Sequence, residues 1–159
     1  MNPRGSGRHG APVVVDSYGE VEKPLIEAGG RYNETLLLKN QEYWEVSNLA
    51  LTNTGATSTT FRFGVRVRAW DFGTMRHIHL RNLFVHDVNG SLIKKDQGEG
   101  HGIVWENCGK RKPSRFDHLL IEGCRLLRTD RNGICSSGKW TPPRMIVVPH
   151  LRRSNESSF

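Results

Sequence analysis

The chain has 159 residues, enough for one domain with a real core, and carries a net charge of +7 with only 8% aromatic residues. No apolar run approaches the length of a membrane-spanning helix. The basic start, Met1 to Arg8, lacks the apolar segment of a secretory signal, so as written the chain is expected to stay in the cytoplasm. The charge selects an anionic partner. No helix-turn-helix, zinc-finger or RNA-binding signature is present, however, so neither nucleic acid nor membrane is the expected ligand.

Residues 1–11, rich in Gly, Arg and Ser, predict an irregular, unpaired lead-in. Pro12 to Gly19 reads as a first strand and Pro24 to Gly29 as a second. From Thr35 a two-part line recurs. Tyr43-Trp44-Glu45-Val46-Ser47-Asn48-Leu49-Ala50-Leu51 is echoed by the nine residues from His77 to Val85, and again by those from His118 to Leu126. Each copy alternates with period two, turns at Asn or Gly, and resumes. A shorter line accompanies each copy: Leu36 to Asn40, Gly64 to Arg68, Gly102 to Glu106, with a last echo at Gly133-Ile134-Cys135.

Short β units repeating at this distance predict a solenoid. Trp44 and Ile78 are 34 residues apart and Ile78 and Leu119 are 41, more than a bare coil needs, so the excess must project as loops. Three excursions fit, at 53–63, 87–101 and 107–116. Stacking predicts inward ladders Trp44/Ile78/Leu119, Val46/Leu80/Ile121, Leu51/Val85/Leu126 and Leu38/Val67/Trp105. Asn48/Asn82 forms a corner ladder. The outward ladders are Lys39/Arg68/Glu106, Ser47/Arg81/Glu122 and Glu45/His79/Leu120. The three cysteines have no paired spacing, which argues against disulfides or structural zinc, and Cys124 takes an inward, inert position.

After Gly133 the pattern fades. Met145 to Val148 can begin another rung, but residues 141–159 read as a degraded rung or a disordered tail. The expectation is therefore an all-β, parallel β-helix of about four coils over 12–140, incompletely capped and resembling the middle of something longer.

The lines Ala11 to Gly19, Glu42 to Leu49, His86 to Gly90 and Asp130 to Ile134 resemble the right-handed parallel β-helix proteins of the pectin-lyase-like superfamily. They are most similar to the right-handed β-helix repeat proteins of polysaccharide-degrading bacteria. The resemblance covers roughly residues 10 to 140. It implies a carbohydrate-active domain, lyase- or hydrolase-like, acting on an acidic polysaccharide; such relatives are longer and typically secreted or periplasmic. A glycan-binding or adhesin-like domain without catalysis is the alternative, because the fold hosts both.

Lyases of this kind need a base and a Ca²⁺ ion or cation to neutralise the uronate, whereas hydrolases use paired carboxylates. The stretch from His86 to His101 concentrates such groups. Lys94, Lys95, Asp87, Asp130 and Arg131 are the candidate catalytic residues, and Asp87, Asp96 and Asp130 the candidate Ca²⁺ ligands. Arg66, Arg68, His86 and His101 are expected to bind substrate. The plainer readings are a solvated charged loop, turn capping by Asn89 and Asp130, and pairing of Arg66 and Arg68 with Glu106 and Lys39. His77, His79 and His118 share an outer face and read as stacked imidazoles without an evident third metal ligand.

Overall fold

The computed structural model describes residues 1–19, 22–92 and 99–138, with the backbone of 144–148. Every described element is a strand. The first coil is β1 (Val13–Val15), β2 (Leu25–Glu27) and β3 (Glu34–Lys39); the second is β4 (Trp44–Ser47), β5 (Ala50–Asn53) and β6 (Arg62–Trp70). The third is β7 (Thr74–Arg81), β8 (Phe84–Val88) and β9 (Gly100–Cys108), and the fourth β10 (Arg115–Glu122), β11 (Arg125–Thr129) and β12 (Asn132–Gly138). β13 (Arg144–Val148) opens a fifth.

Each strand pairs in parallel with its counterpart one coil away, giving sheets β1-β4-β7-β10-β13, β2-β5-β8-β11 and β3-β6-β9-β12. The result is a right-handed parallel β-helix. The expected ladders appear as register pairs: Val46 opposes Leu80 and Leu80 opposes Ile121, while Leu38, Val67 and Trp105 align likewise. Their side chains fill one continuous apolar core running the length of the stack. Burying each of these side chains contributes roughly 1.5–3 kcal/mol, which is what holds the coils together.

The corner between the first two sheets is sharp because Asn48, Asn82 and Gly123 take left-handed backbone, which Asn and Gly tolerate best. Asn82 Nδ2 donates to Asn48 Oδ1 at 2.5 Å, and Asn48 Nδ2 donates to Asp16 Oδ1 at 2.7 Å, so the corner ladder extends one coil further than expected.

Two columns of left-handed residues were not foreseen. Tyr43, His77 and His118 form one along the first sheet, and Asp87 with Arg128 forms the other along the second. His118 sits beside His77, both outside the paired positions, and is the extra residue of a bulge against β13. Asp87 and Arg128 both fall between paired neighbours, and Asp87 is the extra residue of a bulge against β5. Such bulges re-aim side chains.

Gly64 and Gly102 stand where the second and third sheets crowd together. A Cβ on Gly64 would lie 2.3 Å from Val85 Cγ1, and one on Gly102 2.5 Å from Leu126 Cδ2. Gly90 and Gly100 pinch the neck of the 91–99 excursion, since a Cβ on Gly90 would fall 2.3 Å from Gly100 Cα.

The lead-in is not unpaired. Gly7 N donates to Glu42 O at 3.0 Å, Trp44 Nε1 to Gly5 O at 2.9 Å and Glu42 N to Ser6 Oγ at 2.9 Å. At the other end, Met145 to Val148 pair in register with Leu119 to Glu122, as a new rung would. The remainder of the expected tail lies outside the described residues.

Candidate functional site

The outer face of the third sheet carries a buried charge network. Arg66 and Glu106 face outward from neighbouring coils. Arg66 Nε and Nη2 donate to Glu106 Oε2 and Oε1 at 3.1 and 2.9 Å, while Nη1 donates to Glu34 Oε1 at 2.9 Å. Burial alone would lower the Arg66 pKa, but the two carboxylates hold it above its ordinary value. The guanidinium also lies 4.5 Å from the centroid of the buried Phe63 ring. Arg68 Nε approaches Glu106 Oε2 at 2.9 Å without hydrogen-bond geometry, and its guanidinium covers the half-exposed Trp70 ring at 4.3 Å.

Above this floor lies a cleft of about 300 Å³ lined by Phe61, Arg66, Arg68, Glu99, Glu106 and Ser137. His101 is buried beside it, tilted against Phe63 at a centroid distance of 5.8 Å, and its Nδ1 has no hydrogen-bond partner. Burial, followed by the charge of Arg131, depresses the His101 pKa. Cys135 is pushed up to about 11 by burial, with the nearby Glu99 and Glu106 adding to the effect, so its thiol is inert. Of the expected residues, Arg66 and Arg68 thus meet at Glu106, and His101 lies within electrostatic reach of Arg66, Glu106 and Arg131. Arg66 meets carboxylates of the chain itself through Nε, Nη1 and Nη2, so no sugar carboxylate is needed to complete it.

Asp87 and His86 lie on the second sheet instead. Asp87 Oδ1 and Oδ2 accept from Arg128 Nε and Nη2 at 2.5 and 2.8 Å, and His86 Nδ1 sits 2.7 Å from Oδ2. Arg128, and then His86, hold this carboxyl well below the usual range. His86 stacks on Phe84 at 4.3 Å. Asp130 Oδ2 accepts from Ser58 Oγ at 3.2 Å. Asn89 caps a turn, but that of the preceding coil, accepting from Gly55 N at 2.9 Å and donating to Gly55 O at 2.7 Å. Among the described residues, Asp87 and Asp130 belong to no group of three metal-binding side chains; the expected Ca²⁺ set has Asp96 as its third member. Lys94, Lys95 and Asp96 lie outside the described residues.

The group of three that does form is Glu45, His77 and His79, on the outer face of the first sheet. His77 Nε2 is hydrogen-bonded to Glu45 Oε1 at 2.6 Å, and His79 Nδ1 lies 3.6 Å from the same oxygen. Sequence reasoning placed Glu45 and His79 in one ladder but did not join Glu45 to His77. It also missed Glu34, which joins the buried network from a strand end, and Phe61 and Glu99, which reach the cleft from loops.

No family model matches the chain. It is 27% identical over 190 residues to the lacto-N-biosidase of Bifidobacterium longum subsp. longum, in an alignment that covers 81% of this chain and 12% of that protein. The native crystal structure of the GH136 lacto-N-biosidase from Eubacterium ramulus superposes with a TM-score of 0.76 at 27% identity, covering 87% of this chain and 28% of that one. Its selenomethionine derivative gives 0.73 at 27% identity, covering 82% and 26%. These relatives are β-helix glycoside hydrolases, so the likeness is to a β-helix of that kind and not to a specifically pectin-lyase-like one. The chain spans only a small part of each relative.

Proposed function

We propose that the outer face of the third sheet is a glycan-binding cleft belonging to a glycoside-hydrolase-like β-helix. The observation that carries this reading is the Glu34–Arg66–Glu106 network, buried on a face that takes no part in the apolar core. Burying ions costs several kcal/mol each, and geometry this fixed supports a binding surface better than it supports stability. Trp70, 40% exposed at the end of β6 in the same sheet, offers the part of its ring that Arg68 does not cover as a surface on which a sugar ring can stack.

Within the cleft the two carboxylates differ. Both oxygens of Glu106 are engaged by arginine, so it positions Arg66 and Arg68. Glu99 is the carboxylate left to face a glycan and to act as its general acid or base. The saturation of Arg66 by Glu34 and Glu106 favours a neutral glycan over a uronate.

The test is binding and hydrolysis of lacto-N-biose-containing oligosaccharides, with oligogalacturonate in parallel. Trp70→Ala is expected to weaken binding at least about tenfold, and Glu99→Gln to lower any hydrolysis by about 10²–10⁴-fold while sparing binding. Preferential binding of oligogalacturonate, unaffected by Trp70→Ala, would instead favour the basic loop Lys110 to Arg115 and an acidic substrate. Binding of neutral glycan with no hydrolysis would favour the non-catalytic alternative.

A further inference from the structure

We propose that Glu45, His77 and His79 form a Zn²⁺ site on the outer face of the first sheet, separate from the glycan cleft on the third. The sequence builds it in two steps. Glu45 and His79 are direct cross-strand partners between β4 and β7, so their side chains stand side by side on the outer face. His77 precedes the paired residue Ile78 and takes left-handed backbone at φ 53°, which places its ring against that of His79 with centroids 3.9 Å apart. Tyr43, in the equivalent place one coil earlier, stacks on the other side of His77 at 5.7 Å and fixes its plane.

The three ligand atoms, one from each residue, lie within 4.8 Å of one another. A tetrahedral zinc with ligands at about 2.0–2.2 Å sets neighbouring ligand atoms about 3.3–3.5 Å apart. The 3.6 Å separation of His79 Nδ1 from Glu45 Oε1 already fits. The 2.6 Å contact of His77 Nε2 with the same oxygen is a hydrogen bond, and it would open by less than 1 Å as the ion replaces its proton. His79 Nδ1 supplies an independent pointer to a ligand: it is sealed from solvent and has no hydrogen-bond partner, so its acceptor capacity is unused.

Two imidazoles and one carboxylate are the donor set of a zinc site with an open fourth position, whereas Ca²⁺ requires six or more oxygens. Arg81 and His118 also face the group. Arg81 lies 3.8 Å from Glu45 Oε2 but also pairs with Glu122 at 3.4 Å, so only part of its charge opposes the ion.

The test is titration of the metal-free chain with Zn²⁺ against a chromophoric chelator, with Co²⁺ as a spectroscopic substitute. The expected result is one ion per chain, tetrahedral Co²⁺ absorption, and no displacement by millimolar Ca²⁺. Glu45→Gln keeps the volume, and His77→Asn keeps a residue that tolerates left-handed backbone. Each should weaken binding by more than the ~10–100-fold that an outer-shell partner alone is worth, with the metal-free melting curve unchanged. His86→Asn, on another sheet, should leave the affinity as it was. Absence of saturable one-to-one binding would overturn the proposal, as would binding that survives both Glu45→Gln and His77→Asn, or displacement by Ca²⁺. Because the readout is metal binding, none of these results bears on the glycan cleft.

Discussion

Arg128 stands one coil on from Asp87 at the same unpaired position of the second sheet, both in left-handed backbone, and its guanidinium grips that carboxylate through two hydrogen bonds. Non-glycine residues in this conformation cost about 1–2 kcal/mol each. The ion pair ties the two positions together across the coils.

The first prediction follows from that pair. The Asp87 carboxyl is depressed in the folded chain, by Arg128 first and His86 second, so its contribution is complete above the ordinary carboxylate range and fades as pH falls below about 4. Both partners are more than a third exposed, which limits the pair to about 0.2–1 kcal/mol. Thermal melts of the parent chain and Asp87→Asn should differ at pH 7 and by less at pH 3, the gap closing fully only below the depressed folded value. A gap of equal size at both pH values would refute the linkage.

A second prediction concerns the buried network under the cleft. Glu106→Gln leaves Arg66 buried with one carboxylate partner in place of two, and is expected to cost about 3–5 kcal/mol in urea unfolding. Glu122→Gln, which loosens only the exposed pair with Arg81, should cost less than about 1 kcal/mol. Equal losses would mean that the network adds nothing to an ordinary surface pair.

Core truncation should follow the ladders. Leu80 is fully buried between Val46 and Ile121, and Leu80→Ala is expected to lower stability by about 2–5 kcal/mol. His79→Ala, one residue away on the outer face, should leave the apolar stack intact. Chemical denaturation of both variants separates these outcomes, and a small effect at Leu80 would show that the coil can collapse around the gap.

The glycines give a fourth prediction by contrast. Gly102→Ala places a methyl 2.6 Å from the Gly133 carbonyl oxygen and 2.5 Å from Leu126 Cδ2, so about 1–3 kcal/mol of strain is expected. Gly133→Ala meets Leu126 only at 3.6 Å and should be accepted almost without cost. Melting temperatures of the two variants decide this, and similar values would show that the two sheets move apart readily.

The ladders were legible in the sequence because strand alternation has period two and the core of a parallel stack reads the same alternation in every coil. Trp44, Ile78 and Leu119 announce their own alignment. The bulges were not legible, because an extra residue breaks the period without changing residue type. His77 therefore looked like one of a row of stacked imidazoles, with no sign that it meets Glu45. Arg128 went unnoticed as the partner of Asp87 for the same reason. In the cleft, Arg66, Arg68 and Glu106 could be placed on one face from their ladder, as could their mutual pairing. Phe61 and Glu99 could not, since loop conformation sets their approach and no periodicity reports it. Of the two readings of Arg66, a partner for a sugar carboxylate or a cross-rung pair with Glu106, the pair is present, and Glu34 adds a second carboxylate to it.

The left-handed column on the first sheet ends abruptly. Asp117 and Leu119 align with the consecutive residues Arg144 and Met145, so the fifth rung has no counterpart of His118. Chain length in this part of the solenoid is therefore a shared property of stacked neighbours. Deleting His77 alone would set its rung one residue out of phase against the rungs on both sides. A coil without the extra residue can still follow, as β13 does, but only by shifting its register past that point, so the column marks where neighbouring coils match residue for residue and where they do not.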